Sequence, residues 1–109
     1  MKIQTFSVAG LLAISAALIS FSAHAEGDPA AGKNKTAMCS GCHGIAGFRT
    51  VYPETYHVPK IRGQNAGYIV NALKAYKSGD RSHPSMTAIA ASLTEQDMAD
   101  LAAYYSAGK

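Results

Sequence analysis

The chain has 109 residues and a formal charge of +3, with ten Lys/Arg against seven Asp/Glu and no block of like charge. That balance lacks the basic footprint of a nucleic-acid binder. With two Cys and no Trp, it has neither a disulfide framework nor a large aromatic core to rely on.

Residues 1–25 open on Lys2, continue through an apolar stretch from Val8 to Phe21 and end Ala23-His24-Ala25. A basic start, an apolar centre of about 7–15 residues and a small-x-small site describe a cleaved signal peptide. The stretch is shorter than the ~20 residues needed to cross a bilayer, so the exported protein is not expected to be an integral membrane protein. The domain organisation that follows is a leader over 1–25 and one domain over 26–109. A domain of that size obtains only ~3–5 kcal/mol from its own core, so its composition calls for a bound apolar group.

Asp28-Pro29 predicts a helix start, with Asp as N-cap and Pro at the first helical position. That helix is expected to run from Ala30 to about Met38. The motif Cys39-Ser40-Gly41-Cys42-His43 follows directly and occurs once. From Gly44 to Gly63 no hydrophobic period is visible, and the segment reads as an ordered loop. Asn65 caps an expected helix over Ala66–Lys77, with Tyr68, Ile69, Ala72, Leu73 and Tyr76 on one face and Gly79 as terminator. Met86 ends a polar loop, and Ile89 and Leu93 suggest one or two helical turns beyond it. Thr94 and Asp97 form an approximate capping box for a last helix, Glu95 to about Ser106, that buries Met98, Leu101, Ala102 and Tyr105. No alternating strand pattern appears anywhere, so the predicted class is all-α.

Two Cys on one turn with His immediately after is the pattern that attaches a haem through two thioether bonds and offers an imidazole to its iron. A structural zinc site needs further paired ligands, which His57 and His83 do not supply by spacing. A redox dithiol normally follows a strand in a βαβ unit, and none is predicted. The motif therefore implies one covalent haem c with its iron, attached outside the cytoplasm. The sixth iron ligand has five candidates: Met38, His57, His83, Met86 and Met98. Met38 adjoins Cys39, Met98 lies on the core stripe of the last helix, and the two His read as solvated. Spacing alone does not choose among them, although Met86 stands out by position.

The stretches GDPAAGKNKTAMCSGCHG, PKIRGQNAGYIVNALKAYKSGDR and M-x-x-I-x-x-x-L-x-x-x-D-M-x-x-L-A-x-Y-Y resemble a class I c-type cytochrome of the cytochrome c4 and c553/c554 group. The resemblance implies a small helical fold around one haem. It implies thioether links at Cys39 and Cys42, with His43 and Met86 as axial ligands. It also implies that the Pro59 carbonyl accepts from the His43 ring, that Ile61 lines the haem edge, and that Gly32 allows a close crossing near Leu101 and Tyr105. The function implied is periplasmic one-electron transfer between redox proteins, without enzymatic chemistry of its own. The alternatives are a haem subunit of a periplasmic oxidoreductase and a ligand-binding haem protein with a displaceable sixth ligand. The segment between Gly44 and Pro59 departs from the pattern, as does Arg62. Tyr52, Tyr56, Arg62 and Gln64 are candidate contacts for the haem edge or its propionates, and Lys33, Lys35, Lys74, Lys77 and Arg81 are candidates for a docking face.

Overall fold

A computed structural model describes residues 26–52 and 54–108 of the chain. The leader read at 1–25 lies outside the described residues. Among the described residues five helices run in order: α1 (Pro29–Asn34), α2 (Ala37–His43), α3 (Ala66–Ser78), α4 (Pro84–Ala91) and α5 (Glu95–Ser106). Two short strands, β1 (Arg49–Thr50) and β2 (Tyr56–His57), stand between α2 and α3. Among the described residues no helix is long and apolar enough to cross a membrane.

The helix starts follow from side-chain caps. The Asp28 carboxylate accepts the Ala30 N–H at 2.9 Å, and Pro29 occupies the first position. Asn65 accepts from the Tyr68 N–H at 3.0 Å. At α5 the Thr94 hydroxyl accepts from Asp97 N–H (3.1 Å) while the Asp97 carboxylate accepts from Thr94 N–H (2.9 Å). Asp thus completes a box that Glu or Gln usually closes. Gly79 ends α3 with φ of 88°, a left-handed turn that suits a residue without Cβ.

Three features differ from the sequence expectations. The first helix does not run unbroken to Met38; it stops at Asn34, where the Lys35 N–H bonds to Gly32 O and the Thr36 hydroxyl donates to Lys33 O. The chain restarts as α2, which carries the entire CSGCH motif in helical form. The second difference is the strand pair, antiparallel with Arg49 opposite His57 and Thr50 opposite Tyr56. Strands of two residues are too short to show alternation, so a small hairpin hides in what reads as loop; the fold remains helical. Finally, α4 begins before Met86 and not after it, so Met86 stands in a first helical turn.

The core centres on α5. Met98, Leu101, Ala102 and Tyr105 are buried against Ile69 and Leu73 of α3 and Leu93 after α4. Among the described residues, Met98 and Leu101 are the largest side chains almost completely enclosed, as expected of a small domain that leaves interior surface for another group. On the opposite side, α1 crosses α5 at glycines. A Cβ built on Gly32 would stand 2.0 Å from Asp100 O, and one on Gly27 would stand 2.0 Å from Ala99 O. The crossing therefore lies at Ala99, Asp100, Ala103 and Tyr104, one residue N-terminal to the Leu101 and Tyr105 positions expected, and Gly27 shares it.

Candidate functional site

A cavity of about 540 Å³ opens between α2, the hairpin, α3 and α4. α2 contributes Cys39, Cys42 and His43 to its wall, and α4 contributes Met86 and Ile89. Its apolar floor includes Ile69 and Leu73 of α3 and Leu101 of α5, with Ile61 from the loop beyond β2. The two Cys, the motif His and Met86 therefore line one cavity, although Met86 lies far along the chain from the others.

His43 is oriented from outside the cavity. Its Nδ1 lies 2.7 Å from the Pro59 carbonyl oxygen, an acceptor, so Nδ1 carries the proton and donates. Nε2 is then the nitrogen with a free lone pair, as a metal-binding imidazole requires. Pro59 suits this role because its own nitrogen has no hydrogen to compete, and its carbonyl stands at the end of the segment that leaves β2.

Both cysteines are free thiols, partly buried. Burial pushes the Cys39 thiol up, against a smaller opposing effect of a hydrogen bond with the Tyr105 hydroxyl. A thiol held protonated by an apolar wall is a poor redox nucleophile at neutral pH. Burial also pushes the Tyr105 phenol up to about 12, with Cys39 as the next cause. Among the described residues no three of His, Cys, Asp and Glu converge as a metal cluster, so the zinc alternative has no geometry here. Two thiols, one imidazole with a free Nε2 and one thioether around an apolar cavity fit the donor set of haem c.

Of the other sixth-ligand candidates, Met38, His57 and His83 also line the cavity, and Met98 does not. Met98 is 1% exposed in the core. Met38 is half-exposed beside Cys39. His57 is exposed at the rim of the cavity. His83, expected to be solvated, instead caps α4: its Nδ1 accepts from the Met86 N–H at 3.4 Å. The His-Pro pair before a helical stretch is the sequence signal for that cap. Of the four haem-edge candidates, Tyr56 and Gln64 line the cavity. Tyr52 is 87% exposed on the hairpin loop, and Arg62 instead donates to the Tyr104 hydroxyl at 2.9 Å and lies over its ring. The basic side chains are largely committed within the molecule. Lys35 pairs with Asp97 and Asp100, Lys74 with Glu95, Lys77 donates to the Leu93 carbonyl, and Arg81 lies over Tyr76.

Comparison with known proteins adds an independent line. The family described as Cytochrome c matches residues 29–107. Cytochrome c4 of Pseudomonas aeruginosa is 40% identical over 87 residues, covering 80% of this chain and 41% of that protein. Cytochrome c-554(548) of Halomonas halodenitrificans is 40% identical over 85 residues, covering 73% of this chain and 95% of that protein. A protein of Stutzerimonas stutzeri named thiosulfate dehydrogenase electron acceptor is 38% identical over 80 residues, covering 66% of this chain and 32% of that protein. The chain thus spans about two fifths of the length of the cytochrome c4 relative and nearly all of the c-554(548) relative.

Proposed function

This chain belongs to the cytochrome c family, a membership that implies covalent haem c with iron, and from that premise we propose that it is a periplasmic monohaem carrier of single electrons between redox proteins. When bound, the haem supplies an iron that alternates between Fe(II) and Fe(III). Cys39 and Cys42 would hold the group through thioether bonds. His43 would offer Nε2 to the iron, and the hydrogen bond from its Nδ1–H to Pro59 keeps the ring from turning and makes Nε2 a stronger donor. Met86 would offer its thioether as the other iron ligand from the first turn of α4. Ile61, Ile69, Leu73 and Leu101 keep water from the cavity and so favour the less charged, reduced iron.

The observation that carries this reading is the convergence of Cys39, Cys42, His43 and Met86 on one cavity. If both His43 and Met86 bind the iron, the protein itself would fill its ligand positions, which favours electron transfer over catalysis at the iron. The relative named as an electron acceptor of thiosulfate dehydrogenase supports a dehydrogenase as one kind of donor. The same observation supports, as a second reading, a haem subunit of a larger periplasmic oxidoreductase, which would co-purify with its partner in fixed ratio.

The oxidised protein is expected to show the near-infrared sulfur-to-iron charge-transfer band, and Met86→Ala to abolish it. A band that persists in that variant defeats the assignment. Rapid carbon monoxide binding by the reduced wild type would instead support a ligand-binding haem protein.

A further inference from the structure

The hairpin is the part of the chain that departs from the family pattern, and it is tied to both sides of the cavity. After β2, Val58 leads to Pro59, whose carbonyl holds His43. Within β2, the Tyr56 ring meets the His83 ring edge to face, with centroids 4.7 Å apart and planes at 60°. Tyr56 is itself secured twice: it stands opposite Thr50 in the ladder, and its hydroxyl donates to Glu54 Oε2 at 2.9 Å. His83 in turn accepts the Met86 N–H as the N-cap of α4. Tyr56, His83 and Met86 all line the cavity.

We propose that Tyr56 and His83 form a latch through which the hairpin holds the first turn of α4, making Tyr56 a positioning residue for the Met86 thioether. This rests on the reading of Met86 as the sixth iron ligand. The physical basis is the restriction of one ring by another. His83 can cap α4 only in a rotamer that points Nδ1 at the Met86 N–H, and the Tyr56 ring packed edge to face against the imidazole, 4.7 Å away between centroids, restrains its turning. Without Tyr56 the imidazole regains rotamer freedom, the cap is lost part of the time, and the first turn of α4 frays. Met86 sits at the third position of that turn, so fraying lifts the thioether before it disturbs the core. An edge-to-face aromatic pair of this kind corresponds to about a two- to tenfold shift in such an opening equilibrium.

The test is imidazole binding to the oxidised, haem-loaded full-length protein, read beside the near-infrared sulfur-to-iron band. Tyr56 is 42% exposed, so its replacement leaves the core intact. Tyr56→Ala should bind imidazole about two- to tenfold more tightly than wild type. Tyr56→Phe, which keeps the ring and loses only the bond to Glu54, should bind as wild type. His83→Ala removes the ring and the cap together, so it should bind imidazole at least as tightly as Tyr56→Ala, and the double variant should gain nothing over His83→Ala alone. A purely structural role for Tyr56 would lower the melting midpoint without changing imidazole affinity. The latch is overturned if Tyr56→Ala binds imidazole as wild type does, or if the two substitutions add. Absence of the band in the wild type would remove the Met86 reading and the latch together; its presence with an unresponsive Tyr56→Ala would remove the latch alone.

Discussion

Lys35 Nζ stands 2.6 Å from Asp100 Oδ2, joining the break after α1 to the middle of α5. Asp100 is only 3% exposed, and both carboxylate oxygens are used. Its Oδ1 accepts from the Asp28 N–H at 2.9 Å and from Gln96 Nε2 at 2.8 Å. Lys35 also reaches Asp97 Oδ1 at 2.7 Å. One cation, two carboxylates and a helix start thus converge where the two helices cross.

The network makes stability depend on acid in a defined window. The Lys35 ammonium and the Thr94 cap hold Asp97 down at about 2, and the Asp28 N–H followed by Lys35 holds Asp100 down at about 2, both from an ordinary 3.8. Because both folded values are depressed, the stabilisation is complete above the unfolded value and disappears as pH falls from about 4 through about 2. Melting midpoints followed from pH 7 downward should be level to about pH 5 and then drop. Asp100→Asn should lower the midpoint at neutral pH by about 5 °C or more and flatten the acid slope. An unchanged slope in that variant would mean that Asp100 is not ionised against Lys35.

Gly32→Ala should damage the same crossing by a different route. The added Cβ would stand 2.0 Å from Asp100 O and 2.8 Å from Tyr104 Cβ, and backbone cannot step aside as a side chain can. The expected cost is about 1–3 kcal/mol, seen as a lower denaturation midpoint. Gly41→Ala is the contrast, since a Cβ there would meet nothing within 4 Å and α2 is helical at that position. It should be neutral or raise stability by up to about 1 kcal/mol. Equal effects of the two substitutions would show that the crossing is not tight.

Tyr105 offers a test of the cavity wall. Its phenol, pushed up to about 12 chiefly by burial, should titrate late among the six tyrosines. Tyr105→Phe should remove that late phase from an absorbance titration and leave the earlier ones in place. If the late phase survives, the hydroxyl is not enclosed beside Cys39.

Much of this was legible in local chemistry. Asp28-Pro29, Asn65, Gly79 and the Thr94–Asp97 pair are caps whose function depends on near neighbours, and each marks a helix boundary in the folded chain. The motif likewise announces its chemistry within five residues. What stayed hidden depends on partners distant in sequence. Asp100 reads as one more acid on an exposed helix turn until Lys35 and Asp28 are brought against it. The strands are held by pairing across a loop and show no period of their own, so Tyr56 reads as a loop residue until its ring is seen on His83. The crossing at Gly32 was expected from the resemblance, but Gly27, which stands before the helix, gains a role only from the approach of α5.

The bond between the Asp28 N–H and Asp100 links positions 72 residues apart. By contrast, α3, α4 and α5 are consecutive in the chain and reach their mutual contacts through short connections. Closing so long a loop carries a chain-entropy penalty that the neighbouring helix contacts do not face. The sequence separation therefore divides the molecule kinetically: a C-terminal helical unit that can assemble from near neighbours, and an N-terminal arm, bearing Cys39 and Cys42, whose docking on α5 waits for a long-range encounter.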